Sequence, residues 1–233
     1  PLLAPIHSTT VEFGTKHLLP LDGTGLAGWL TYDLALYWLQ VNNDIIPYDD
    51  GSYYFTAGRT SRMGIESAVQ IQLAMGLTVD GALTVSENRY AEYTIDSVHF
   101  GRAGRFADLG GNAVAGVPDL FYSAGVKFAP PGVQGAYLRV GVQGVGRYYA
   151  DDRNMYDVPS YVVLHASIGI DKLQIGRSGS FIRGFIGMNN IANRKYAVAA
   201  WINPQLNSRR LPVYLEPGLP RNLVGSISAG WEF

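Results

Sequence analysis

Apolar and polar residues alternate with a period of two along most of this chain, a period that selects strands over helices. In segment 119–128, Leu120, Tyr122, Ala124, Val126 and Phe128 alternate with Asp119, Phe121, Ser123, Gly125 and Lys127. Ala136, Leu138, Val140, Val142 and Gly144 stand opposite Tyr137, Arg139, Gly141, Gln143 and Arg147. Val162, Leu164, Ala166, Ile168 and Ile170 oppose Tyr161, Val163, His165, Ser167 and Gly169. At the C-terminus Leu223, Gly225, Ile227, Ala229, Trp231 and Phe233 share one face, and Asn222, Val224, Ser226, Ser228, Gly230 and Glu232 the other. The same alternation recurs near 10–16, 62–73 and 77–86.

These patterns predict nine strands, at about 8–18, 26–46, 52–74, 76–95, 118–130, 134–150, 159–172, 179–192 and 221–233. Segment 26–46 alternates poorly, and 52–74 is expected to bend between Gly58 and Gly64, where glycine tolerates a bulge. No segment reads as a helix. Short links near 19–25, 74–76, 131–133 and 173–178 take turns with long ones at 96–117, 151–158 and 193–220, with the short link 47–51 as the exception. Short turns on one rim and long loops on the other are the arrangement of outer-membrane barrels.

A soluble sandwich alternates too, so strand length and the polar face must discriminate. Several strands exceed a dozen residues, longer than soluble sheets use and enough to cross about 25 Å of hydrocarbon at a tilt. The mixed face places Arg62, Glu66, Lys127 and Arg139 in mid-strand, where a sandwich would bury apolar atoms. Only 16% of residues are charged against 47% apolar, which suits a sheet with one face out of water. No apolar run is long enough for a membrane-spanning helix, so a bilayer would be met by strands. Hydrocarbon demands a partner for every backbone polar group, and nine antiparallel strands cannot close without a parallel seam, so strands before Pro1 are expected to complete the barrel. The chain begins at Pro1 with no signal-peptide pattern, which reads as a piece of a longer precursor, intact at its end.

Several function classes drop out. A net charge of −1 gives no reason to expect nucleic-acid binding. The absence of Cys removes disulfides and thiolate chemistry, and His7, His17, His99 and His165 lack metal-ligand spacing. No catalytic residue, metal site or cofactor is assigned: the nearest candidates, Ser8 with His7 and Asp33, or Asp151 with Asp152, lack a supporting context, and adjacent loop acids are usually solvated. Gly101 to Gly111 lacks the lysine and helix of a phosphate loop.

Four segments carry a family resemblance. Gly187-Met188-Asn189-Asn190-Ile191-Ala192-Asn193-Arg194-Lys195-Tyr196 resembles the "G-x-x-N-L-F-(N/D)-K-x-Y" segment of TonB-dependent receptors. Glu216-Pro217-Gly218-Leu219-Pro220-Arg221-Asn222, followed by a strand ending Trp231-Glu232-Phe233, resembles that family's "P-G-x-P-R-x" and terminal aromatic strand. Thr9 to Lys16 is similar to its "(S/T)-x-x-x-E-x-G-x-K" strand, and Ala57-Gly58 with Arg62 to Glu66 to "N-A-G-x-x-x-x-x-G-x-E". Ile191-Ala192 replaces Leu-Phe and Thr56 stands where Asn is common, which leaves the substrate subgroup open.

The resemblance implies an all-β, antiparallel transmembrane barrel, of which residues 1–233 are about the last nine of 22 strands, with the plug domain outside this chain. It implies active uptake of a ferric siderophore or similar iron complex across the outer membrane of a Gram-negative bacterium, with no enzymatic step. Iron would be carried as part of the ligand. TonB would act through the plug, and the barrel-assembly machinery and outer-membrane lipid are the other implied partners. A passive porin is the rival reading.

In that scheme the loops face the ligand, with Tyr148, Tyr149, Asp151, Arg153 and Tyr156 on one, and Trp201, Asn203, Arg209 and Arg210 on another. Aromatics supply stacking area, and Arg supplies charge for an anionic chelate. Arg62, Glu66, Arg139 and Arg147 face the lumen, where they hold the plug or pair across strands. Trp231 and Phe233 resemble the assembly signal.

Overall fold

The computed structural model describes residues 4–21, 28–48, 51–96, 106–176, 179–209 and 212–232. His99, the stretch 101–105, Arg210 and Phe233 therefore lie outside the described residues. Every regular element among the described residues is a strand. In chain order these are β1 (His7–Pro20), β2 (Gly28–Tyr48), β3 (Tyr53–Leu73), β4 (Leu77–Glu92), β5 (Thr94–Asp96), β6 (Phe106–Asp108), β7 (Leu120–Phe128) and β8 (Ala136–Val145). They continue with β9 (Tyr148–Tyr149), β10 (Asp157–Val158), β11 (Tyr161–Ile175), β12 (Ser180–Asn189), β13 (Ala197–Ala200), β14 (Leu215–Pro217) and β15 (Asn222–Trp231).

Nine of them form one antiparallel sheet in the order β1-β2-β3-β4-β7-β8-β11-β12-β15. These are the nine strands that the alternation predicts. Segment 26–46 pairs regularly along both edges despite its poor alternation, with Leu36 opposite Phe13 on one side and Ile65 on the other. The expected bend falls at Arg59/Thr60, where the register with β4 shifts.

The register gathers the apolar positions on one side. Phe13, Leu36, Ile65, Val85 and Leu120 lie in one cross-strand row, and Phe128, Leu138, Ile168 and Ile186 in another. No described layer covers them: Phe13 is 77% exposed, Ile168 63%, and Leu138 and Val140 48% each. Water would not tolerate so broad an apolar face on a folded monomer. A hollow of about 740 Å³ lies on this face, among Ile168, Ile170, Ile182 and Ile227, where Gly184 supplies no side chain.

The opposite face is polar. Arg139 of β8 donates to both carboxylate oxygens of Asp80 of β4, at 2.7 and 2.8 Å, passing over β7 at Gly125. Lys127 bonds Asp171 at 2.6 Å and lies over the Tyr137 ring.

Three short two-stranded pieces, β5 with β6, β9 with β10 and β13 with β14, lie in stretches read as loops or strand ends. The predicted strand 134–150 is in fact broken: β8 ends at Val145, and Tyr148–Tyr149 joins Asp157–Val158 instead.

Candidate functional site

The β2–β3 hairpin overruns the sheet. Each strand has 21 residues, about 70 Å at the usual rise, far more than an apolar band of about 25 Å requires. The excess carries Ile46 and Ala57 to the long-loop rim, where they are buried with Tyr90, Tyr93, Ile95, Leu109 and Val114. Among the described residues the barrel wall encloses no such core. The rim therefore folds like a small globular unit, held by apolar burial of its own.

At the centre of this unit sits Asp152, fully buried. Its Oδ1 accepts from the Tyr90 hydroxyl, and its Oδ2 from Tyr48 at 2.8 Å, Tyr93 at 3.0 Å and Asn203 Nδ2 at 3.0 Å. Its backbone is held as well: Asn112 Nδ2 donates to its carbonyl at 2.8 Å, and its N–H donates to Asn203 Oδ1 at 3.1 Å. Burial pushes the Asp152 carboxyl above the usual range, while the tyrosine and asparagine donors pull it back. Burial and the nearby carboxylate push the Tyr93 phenol up, so it stays protonated and can donate.

The loops are stitched to each other around this point. Gly116 N–H donates to Tyr149 O at 2.8 Å, Asn203 N–H to Ala150 O at 2.8 Å, and Asn203 Nδ2 also to Pro47 O at 3.0 Å. Asn154, held at φ 57°, accepts from Ala113 N–H and donates to Ala113 O.

The expected ligand-facing residues fall into two groups. Arg153, Trp201 and Arg209 are exposed, whereas Tyr148, Tyr149 and Tyr156 are half-buried, with the Tyr156 ring 5.8 Å from that of Tyr214. Trp201 and Tyr214 line a hollow of about 380 Å³ with Leu206 and Val213. Asp151 and Asn203, in contrast, are buried and turned inward: Asp151 Oδ1 accepts from the backbone of Met155 and Tyr156, and Asn203 belongs to the Asp152 cluster. The structure gives these two a place in the scaffold beneath the surface.

Of the residues expected to face the lumen, Arg62 bonds Asp44 at 2.9 Å rather than Glu66, which is exposed on the same strand. Arg139 takes Asp80, and Arg147 lies beyond the end of β8, beside the Tyr149 ring and hydroxyl. Trp231 is exposed on the apolar face at the short-turn end of β15. Sequence reasoning missed Tyr48, Tyr90, Tyr93 and Asn112, and read Asp152 only as a solvated loop acid beside Asp151. Their partners lie 40 to 104 residues away, and no local spacing signals them.

Residues 1–191 match the family model described as "TonB dependent receptor-like, beta-barrel". The chain belongs to the TonB-dependent receptor β-barrel family. It is 27% identical over 206 residues to the ferrichrome outer membrane transporter/phage receptor of Escherichia coli K12, covering 86% of this chain and 24% of that protein. With the ferrioxamine receptor of Yersinia enterocolitica it shares 29% over 202 residues, covering 86% and 25%. The chain thus spans about a quarter of the length of these relatives.

Among solved structures, the siderophore receptor PiuA of Acinetobacter baumannii superposes with a TM-score of 0.68 at 16% identity, over 96% of this chain and 28% of that one. The ferric yersiniabactin uptake receptor FyuA of Yersinia pestis gives 0.63 at 19%, over 96% and 29%. At that identity the likeness establishes the fold, a partial TonB-dependent receptor barrel of antiparallel strands. The family consists of receptors and transporters, and the curated relatives named here take ferrichrome and ferrioxamine.

Proposed function

We propose that this chain is the C-terminal barrel part of an outer-membrane receptor that imports a ferric siderophore or similar scarce iron complex, with energy supplied through TonB. The single observation that carries this reading is a sheet with one uncovered apolar face and one polar face, ending in a loop rim that has its own core. Lipid wets the first face and water the second. A rim built only to join strands would not need a buried polar centre. The naming of the relatives for ferrichrome and ferrioxamine supports iron chelates as the cargo, with iron arriving as part of the substrate.

In this scheme Tyr148, Tyr149, Arg153, Tyr156, Trp201 and Arg209 offer stacking surface and positive charge to the chelate. Arg62 and Arg139 line the lumen, already paired to carboxylates, and a plug supplied by residues outside this chain would meet those ion pairs. Trp231 sits where the assembly machinery would read the last strand.

Uptake of radioactive iron, supplied as ferrichrome or as ferrioxamine B, tests the reading. Cells producing the receptor should accumulate iron, and deletion of TonB should abolish that accumulation. Equal entry without TonB would make the barrel a passive porin.

A further inference from the structure

We propose that Asp152 is the positioning residue that fuses the separate loops of the rim into one preformed body, so that its fourfold hydrogen bonding fixes the surface a ligand meets. The inference deepens the uptake reading and relies on it only for the statement that a ligand lands on this rim.

The sheet cannot do this job at that height. β4 stops at Glu92 and β7 begins at Leu120; β8 stops at Val145 and β11 begins at Tyr161; β12 stops at Asn189 and β15 begins at Asn222. Beyond those points neighbouring hairpins no longer share the main ladder, and single backbone bonds, such as Gly116 to Tyr149 and Asn203 to Ala150, join the loops only in pairs. Asp152 gathers them. Tyr48 comes from the β2–β3 hairpin, Tyr90 from the end of β4, Tyr93 from between β4 and β5, Asn112 from the loop after β6, and Asn203 from the loop between β13 and β14.

The residue type follows from the geometry. Four donors converge on the side chain, and a carboxyl group offers two oxygens to meet them, whereas an amide offers one. Burial excludes water as a substitute partner, so each bond is directional and costly to lose. Exposed Arg153 follows Asp152 directly, and half-buried Tyr156 lies four residues on, its backbone N–H bonded to Asp151. Trp201 lies two residues before Asn203. The cluster thus sets where these three stand, and their ordering cost is met during folding rather than on binding.

The test is amide hydrogen exchange on the receptor in outer membranes or detergent, following 45–48, 109–116, 150–157 and 201–204. Asp152→Ala should lower protection in all four segments together, by ~10-fold or more. Strands β7, β8 and β11 should stay protected and the barrel heat-modifiable. Tyr93→Phe, which removes one hydroxyl and no charge, should give a smaller loss in the same four segments, and it carries the test if Asp152→Ala fails to assemble. A loss confined to 150–157 in both variants would reduce Asp152 to a local turn stabiliser and overturn the proposal.

Ferrioxamine B is the probe for consequence. Where the wild type binds it, Asp152→Ala should weaken binding ~10-fold, and unchanged affinity despite concerted loss of protection would overturn the claim that the cluster fixes the binding surface. Absence of binding by the wild type, together with concerted loss of protection in the variants, would sink the ligand assignment and leave the fused rim standing.

Discussion

At Gly125 the Arg139 guanidinium crosses strand β7 to reach Asp80, and it can do so because no side chain stands in its path. A methyl group there would overlap Arg139 Nη2 and lie 3.0 Å from Asp80 Oδ2. Gly125→Ala should therefore displace the pair and cost about 1–2 kcal/mol of overpacking and lost charge-assisted bonding, read as a shift in the urea midpoint of the barrel in detergent. In an Asp80→Asn background the same substitution should cost clearly less, because the bridge it displaces is already weakened; equal costs in both backgrounds would remove the clearance argument.

The Asp152 carboxyl makes a second residue-scale prediction. Its folded value lies above its unfolded one, with burial as the main cause, so its contribution to stability is complete below the ordinary carboxylate range. That contribution is lost as pH rises through the raised folded value. Exchange protection of 109–116, corrected for intrinsic chemistry, should fall as pH rises above the ordinary carboxylate range, and Asp152→Asn should flatten the profile. Nothing in the flanking residues signals this burial. Asp151 and Asp152 read as solvated neighbours in a loop, since what buries them is supplied by residues from Tyr48 to Asn203 and not by their own flanks.

For whole strands the sequence was far more legible, because burial on one face writes a period of two into every strand and a one-residue slip would turn the face over. Strands 161–175 and 222–231 could be read almost residue by residue for that reason. The short pieces β5, β6, β13 and β14 were not, since three or four residues hold too few alternations to register. The strand faces can be tested directly. Ile168→Arg places a charge on the uncovered face and should cost about 2–4 kcal/mol near the bilayer midplane, whereas Gln143→Arg on the opposite face of β8 should cost little. The fraction assembled in outer membranes and the unfolding midpoint in lipid should both separate the two variants. Equal tolerance would mean that acyl chains do not bathe Ile168.

Across the molecule, what remains open is the pair of sheet edges. β1 and β15 lie at the two ends of an antiparallel run of nine and point the same way, so they cannot close on each other by continuing the antiparallel ladder. About half of the backbone polar groups of each edge strand face outward without a partner in this sheet. In hydrocarbon each such group costs several kcal/mol, an amount no side-chain contact in the wall could offset. In a membrane both edges therefore need a further strand paired beside them. Residues 1–233 produced alone and refolded in detergent should associate through these edges and lack the heat-modifiable, protease-resistant monomer band of a closed barrel. Supplying the remaining barrel strands on a second polypeptide should restore that band. A protease-resistant monomer formed by residues 1–233 alone would show that nine strands close by themselves and would overturn the edge argument.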